Sequence, residues 1–374
     1  WERADWFPKN GADRHPANSY DRQHWFDTVG KECRHVAEHA GIIELTGFSR
    51  FHLKGDGAAD WLASLVTGNL PQVGRFGLVY FASAKGKVLT EMSATRLAED
   101  EFLLITGAGA YWHDRDLLNG CLPTSGGVSL QDTTRDYATL LVTGPKSPAI
   151  IAAVSGLSTS QADFPWLSHQ PCQIAGCWVT AIRVSFAGEA GWEIHCDMAD
   201  VLTVYDQIMK AGAPYQLDHF GMLALDSMRL EKGYRSWKSD LTSDYTMLES
   251  GLGRWVKFDK PDFVGRSALQ AEHQAGSKRQ FAMLTLDDPV DGNSDPFGEA
   301  VYLSVVQCDG VDSGLVVSAG YGHRVNKSIA MAVVDTEKLV SASQISVAVV
   351  GRPRSAHLVP AHALYDLNDE KLRG

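Results

Sequence analysis

The sequence predicts an α+β fold that ends in a small, barrel-like all-β domain, and three observations carry that prediction. Between residues 31 and 275, hairpins and single strand–helix units alternate without the run of βα repeats that builds a parallel sheet. A polar run from Gln270 to Arg279 then breaks the pattern and marks a domain boundary. Beyond it, within residues 276–374, short strand-like stretches are separated by turn residues, the pattern of a small β domain. Residues 1–30 show neither periodicity, and their three indoles, Trp1, Trp6 and Trp25, need burial somewhere. A strap across another surface is expected there.

Composition narrows the function classes. The chain has 374 residues, 44% hydrophobic and 21% charged, which suits two or three soluble domains. A net charge of -11 argues against non-specific attraction to nucleic acid or anionic lipid. No apolar stretch approaches the ~20 residues that a membrane span requires. The six cysteines (Cys33, Cys121, Cys172, Cys177, Cys196 and Cys308) have no C-x-x-C or zinc-finger spacing, so reduced thiols and no metal site are expected. The first residue is Trp1, with no charged n-region and apolar h-region before it, and the chain reads as trimmed or cut from something longer.

In chain order, a short helix is expected over 31–39, then strands over 41–45 and 51–54. Residues 55–60 lead into a helix and imitate a dinucleotide fingerprint, but Asp60 takes the place of the third glycine and would repel a phosphate, so a plain strand–turn–helix is the reading. Strands over 79–82 and 88–96 form a hairpin whose turn carries Lys85-Gly86-Lys87, with Glu91 on the return strand beside Met92. A strand over 101–106, a helix beginning at 114–118 and a strand over 140–143 that feeds a helix follow. Residues 179–186 and 192–196 pair as strands around the turn 187–191, before a helix over 201–209. The helix over 221–232 has Met222, Leu225 and Met228 at helical spacing and stops at Gly233. Arg235, Trp237, Lys238 and Asp240 then crowd an irregular segment, where sites tend to lie. The last domain offers strands over 281–285, 301–303, 314–317, 329–334 and 345–349.

Several residues are candidates for chemistry. Glu193, between Trp192 and Ile194, is either the solvent-facing member of an alternating strand or a buried acceptor. A buried Glu taking two parallel N–H bonds is what recognition of a 2-amino-4-oxo heterocycle requires. Glu91 is either an exposed hairpin carboxylate or a general acid/base at the edge of an apolar pocket, with burial raising its pKa. Arg229 has Leu225 and Gly233 four residues away and Asp226 three before it, which leaves a structural ion pair and ligand binding both open. His24, His113, His195 and His323 share no metal-ligand spacing, and no G-x-S-x-G elbow supports a serine nucleophile.

The segments Lys85-Gly86-Lys87-Val88, Leu141-Val142-Thr143-Gly144-Pro145, Gly188-Glu189-Ala190-Gly191-Trp192-Glu193, Arg229-Leu230-Glu231-Lys232-Gly233-Tyr234-Arg235, Leu248-Glu249-Ser250-Gly251-Leu252 and Gly320-Tyr321-Gly322-His323 occur in this order. Together they resemble the folate-binding aminomethyltransferase family, the T-proteins of glycine cleavage, and the C-terminal halves of dimethylglycine and sarcosine dehydrogenases. The resemblance covers nearly the whole chain. It implies a three-domain cloverleaf with tetrahydrofolate in a central hole, residues 31–275 forming two intertwined α+β domains. It places Glu193 at the pterin edge, Arg229 and Tyr234 along the folate, and Glu91 near the reactive nitrogens. Phe186, Tyr80 and Trp237 are the further folate-site candidates.

Three departures stand out. T-proteins usually carry Asp where Glu91 stands, several relatives carry Tyr where Phe186 stands, and Ala363 occupies a place where they have a C-terminal Tyr, with Tyr365 nearby. The implied activity is capture of formaldehyde or an iminium from a methylamine as 5,10-methylenetetrahydrofolate, with oxidation or lysis left to an N-terminal or separate domain. A bacterial cytoplasm or a mitochondrial matrix would be its place. Two alternatives belong to other classes: a methyltransferase that takes the methyl group of a sulfonium or aryl ether, and a non-catalytic iron–sulfur assembly factor. The second is disfavoured because Tyr234 follows Lys232-Gly233 where such factors have Cys.

Overall fold

Three sheets organise the chain, and the computed structural model describes residues 2–9, 14–17, 21–124, 126–287 and 298–374 of it. The first stretch runs α1 (Phe26–Glu38), β1 (Ala40–Glu44), β2 (Ser49–Lys54), α2 (Ala58–Leu65), β3 (Phe76–Ala82), β4 (Val88–Ala98), β5 (Glu101–Thr106), α3 (Tyr111–Cys121) and β6 (Ser129–Asp132). The second runs β7 (Tyr137–Thr143), α4 (Ser147–Ser155), β8 (His169–Ile174), β9 (Cys177–Ile182), β10 (Gly191–Asp197), α5 (Val201–Gly212), β11 (Leu217–His219) and α6 (Met222–Glu231). After α7 (Arg266–Ala275) come β12 (Arg279–Leu286), β13 (Val305–Cys308), β14 (Val311–Gly322), β15 (Lys327–Asp335), α8 (Thr336–Ser341), β16 (Ile345–Val349), β17 (Arg352–Leu358) and α9 (Glu370–Arg373).

A six-stranded sheet has the order β11-β1-β7-β10-β9-β8, and an antiparallel five-stranded sheet has the order β3-β4-β5-β2-β6. The strands β12-β15-β14-β13-β16-β17 close into a barrel. Because β1 enters the first sheet and β2 the second, the two α+β units share one continuous piece of chain. The fold is therefore α+β with a C-terminal barrel, as expected.

Side-chain alternation explains how the pieces meet. On β10, Trp192, Ile194 and Cys196 enter the core that also takes Ile150, Val154, Val204 and Ile208 from α4 and α5. Glu193 and His195 are thereby turned to the opposite face. On β12 and β15, Ala282, Leu284, Ala330, Ala332 and Val334 fill the barrel, while Phe281, Met283, Ile329, Met331 and Val333 pack outward with Leu230 of α6. Burial on both faces makes these strands read as continuous apolar runs, and the alanines suit a narrow barrel interior.

Some expectations need correction. The first helix starts at Phe26 rather than 31, since Val29, Cys33 and Val36 already form its buried stripe. Residues 4–7 lie against the start of α6: Met222 N and Leu223 N donate to Ala4 O and Asp5 O, and Trp6 is buried. Trp1 lies outside the described residues. Residues 183–186 leave the sheet, and 301–303 form a turn in which Leu303 has φ 67°, so the strand begins only at Val305. The strand β17 escaped notice because an arginine, Arg354, occupies an inward position and donates to Gly298 O at 2.8 Å. At the start of α2, Asp100 Oδ1 accepts from Ala59 N at 2.9 Å, so the chain's own carboxylate occupies the place a phosphate would need. Among the described residues no helix is long and apolar enough to cross a membrane.

Candidate active site

Glu91 and Tyr80 are register partners on β4 and β3. Val79, Phe81, Met92 and Ala94 point into the core of the five-stranded sheet, which turns Tyr80 and Glu91 together to its other face. Glu91 is half-buried, with protein crowded closely around its carboxyl. Burial pushes its carboxyl up to about 7, although the Tyr80 hydroxyl donates to it and the Arg235 guanidinium draws it down. Burial, and then the Glu91 charge, push the Tyr80 phenol well above its ordinary value.

Glu193 occupies the middle of the six-stranded sheet, opposite Leu141 on β7 and Ile182 on β9. Its Oε2 lies 3.2 Å from His195 Nε2, and His195 Nδ1 lies 2.9 Å from Thr139 Oγ1. Arg50 Nη2 donates to the same Thr139 hydroxyl, and Arg50 Nη1 donates to the carbonyls of Thr46, Phe48 and Tyr137. Burial pulls the Arg50 guanidinium below its ordinary value, and the Glu193 charge opposes that. With its side chain 23% exposed, Glu193 is neither a free surface group nor a sealed one.

The end of α6 carries the next candidates. Gly233 takes φ 67°, its N–H returns to Leu230 O, and Tyr234 N returns to Arg229 O, which stops the helix. A Cβ at Gly233 would sit 1.7 Å from His362 O, so the C-terminal segment also demands glycine there. Arg229 is only 3% exposed and spends its donors on protein: Asp226 Oδ1 at 2.7 Å, Asp240 Oδ2 at 2.5 Å, Tyr234 O at 3.1 Å and Ser318 Oγ at 3.0 Å. It ties α6, the following loop and the barrel together. Its open side meets an outer recess of about 440 Å³, shared with Asp226, Lys238, Ser239 and Tyr302, which Glu91, Tyr80 and Glu193 do not line.

Tyr234 stacks on Phe186, ring centroids 5.7 Å apart and planes 19° apart, and Phe186 keeps 37% of its surface exposed. The indole of Trp237 lies 6.4 Å from His113, and its Nε1 is buried without a partner. Tyr365 does not offer a free hydroxyl: it donates to Glu189 Oε1 at 2.6 Å. The same carboxylate receives Arg324 Nη1 at 2.8 Å, and Arg324 Nε donates to Glu231, both carboxylates being buried.

The structure thus pairs Glu91 with Tyr80 and Tyr234 with Phe186, and sets Glu193 in a network of its own. The sequence reading had not assigned Arg235, Asp240, Arg324 or Glu189 to the site. The crowding of charge in 235–240 was the visible signal for the first two, whereas Arg324 and Glu189 meet only through the fold.

Comparison with known proteins gives the family. The model described as the GCVT N-terminal domain matches residues 1–260, and the glycine cleavage T-protein C-terminal barrel domain matches residues 279–366. Mitochondrial dimethylglycine dehydrogenase of Rattus norvegicus is 33% identical over 362 residues, 96% of this chain and 41% of that protein. An aminomethyltransferase of Caldanaerobacter subterraneus is 27% identical, covering 89% of this chain and 87% of its own length. A formaldehyde-forming 4-methylaminobutanoate oxidase of Paenarthrobacter nicotinovorans is 27% identical, covering 100% of this chain and 44% of its own. The chain spans about two-fifths of the length of the dimethylglycine dehydrogenases it matches. The glycine cleavage aminomethyltransferase T structure from Bartonella henselae shares the fold, with a TM-score of 0.78 over 94% of each chain at 21% identity. With both parts of the chain matched, it belongs to the folate-binding aminomethyltransferase family, that of the glycine cleavage T-protein.

Proposed function

We propose that the chain is the tetrahydrofolate-dependent part of an N-demethylating enzyme, which captures a methylamine-derived carbon at the formaldehyde level as 5,10-methylenetetrahydrofolate. One observation carries the reading: a half-buried carboxyl raised to about 7, with a phenol donating to it. A group with that pKa both takes and returns a proton near neutrality.

The donor set fits a folate. Glu193 has one oxygen held by His195 and further lone pairs for the parallel N–H groups of a pterin edge. The Phe186–Tyr234 pair offers a flat apolar face, and the Trp237 Nε1 offers an unused donor. When bound, tetrahydrofolate supplies the amine nucleophiles that take up the carbon. Glu91 accepts the proton released at a reacting nitrogen and returns it to the departing oxygen or amine. Tyr80 holds the carboxylate in line, and Arg235 stabilises it as it becomes charged. Oxidation of the N-methyl group is assigned to a domain or protein outside this chain, a division supported by the dehydrogenase and oxidase relatives of which it spans under half.

Calorimetry with tetrahydrofolate and product identification with labelled formaldehyde test the proposal. Binding, with methylene product formed faster than the uncatalysed reaction, is expected. No binding would overturn it, and labelled 5-methyltetrahydrofolate from a methyl sulfonium or aryl ether would favour direct methyl transfer instead.

A further inference from the structure

The stacked rings of Phe186 and Tyr234 stand on two segments that share one buried side chain, Lys232. Phe186 is the exposed member of a turn whose other residues, Ser185 and Ala187 to Gly191, are buried. Tyr234 comes just after Lys232, past the end of α6. The Lys232 stem lies against Gly188 of the turn: a Cβ there would come 2.3 Å from Lys232 Cγ, and a glycine, suited also to the φ of 76°, lets the stem pass. The stem thus packs between the segments that carry the two rings.

The ammonium of Lys232 is held from elsewhere, by the C-terminal segment. It donates to Asp366 O and to Asp369 Oδ1, both at 2.7 Å. The same segment also reaches the turn. The Tyr365 hydroxyl donates to Glu189 Oε1 at 2.6 Å, Ala190 N donates to Lys371 O at 2.9 Å, and Arg183 Nη2 donates to Arg373 O. It reaches α6 through Leu364 N, which donates to Glu231 O at 2.8 Å. The barrel is closed by β17, so residues 359–374 add no strand to any sheet. Yet His362, Asp366 and Asp369 hold left-handed backbones, φ 51°, 46° and 57°, which persist where the surroundings enforce them.

We propose that Lys232 is a positioning residue, gripped by Asp366 and Asp369, and that it couples the order of the C-terminal segment to the Phe186–Tyr234 stack. With the segment docked, the ammonium is fixed, the stem stays under Gly188, and the two rings keep their relative placement. With the segment open, both ring-bearing segments loosen together. Such coupling is reciprocal, so a ligand that orders the rings also orders the segment. It rests on the folate reading above only for the identity of that ligand.

Hydrogen exchange by mass spectrometry on the full chain reads the coupling in two variants. Asp369→Gly removes the carboxylate without opposing the left-handed backbone, and Lys232→Met keeps the stem but not the ammonium. Amides of residues 184–190, 232–236 and 366–373 should exchange at least about tenfold faster in both, with β12 and β15 unchanged. Tetrahydrofolate should slow exchange over 366–373 in the wild type, bind the variants about tenfold more weakly, and be turned over at saturation within about threefold of the wild-type rate. Faster exchange of 366–373 alone overturns the coupling, because the rings are then independent of the segment. Faster exchange of β12 and β15 as well overturns it too, because Lys232 is then a general support of the fold. Loosened ring segments with unchanged affinity also contradict it. If Lys232→Met does not fold, Asp369→Gly decides. If tetrahydrofolate does not bind the wild type, the folate reading falls, while the exchange pattern still decides the role of Lys232.

Discussion

Glu193 and Glu91 are both glutamates on inner strands of a sheet, both turned away from that sheet's helix-packed core, and both half-buried. Their surroundings differ. Around Glu193 stand His195, Thr139 and Arg50, a chain of polar groups that offers a carboxylate company and leaves lone pairs for a ligand. Around Glu91 burial outweighs the help of Tyr80 and Arg235, and the carboxyl rises to about 7. The proposed function gives the same side chain in the same kind of strand two tasks, holding a ligand at Glu193 and proton transfer at Glu91.

Four predictions on three substitutions would break or sharpen that contrast. The largest effect is expected from Glu91→Gln, which should lower methylene formation about 10²–10⁴-fold while leaving tetrahydrofolate affinity within about threefold. Stopped-flow product formation beside calorimetry reads both numbers. Next is Asp240→Ala, which removes the carboxylate that joins Arg229 of α6 to the loop after it. It removes the buried partner of Arg229, leaving the half-exposed Asp226 as its remaining counter-charge, and should cost about 3–5 kcal/mol in a denaturant melt. Glu193→Gln comes third: an amide cannot accept two parallel N–H bonds, so tetrahydrofolate affinity should fall about 10–100-fold, with turnover of the saturated enzyme little changed.

The smallest effect is on stability. Between the ordinary carboxylate value of 4.5 and about 7, the folded chain keeps a proton on Glu91 that the unfolded chain has released. Stability therefore falls as pH rises through that window, and the penalty is complete above it. Glu91→Gln should consequently gain about 1–3 kcal/mol on the wild type between pH 4 and pH 8, read from melts at the two values.

How much of this was legible in the sequence depended on range. Local signals were reliable: Lys85-Gly86-Lys87 marked a hairpin turn, Gly233 marked the end of α6, and the strand over 345–349 appears as β16, residue for residue. The apolar runs of β12 and β15 were visible because both of their faces are buried. The turn at 301–303 was misread because Val301, Tyr302 and Leu303 have strand propensity while Leu303 adopts a left-handed backbone there. For the site, residue types and motif resemblance pointed to Glu91 and Glu193, but their environments come from contacts that spacing cannot encode. Arg229 meets Ser318 across 89 positions, and Arg324 meets Glu189 across 135. The burial that raises the Glu91 carboxyl likewise comes from packing that became readable only in the fold.

The most direct test is to titrate Glu91 itself. With carboxyl-labelled glutamate, the resonance lost in Glu91→Gln identifies the group, and its chemical shift can be followed by carbon NMR from pH 4 to 9. A midpoint near 7 is predicted. A midpoint near the ordinary 4.5 would mean that Glu91 is an ordinary solvated carboxylate and would contradict its role as the proton carrier.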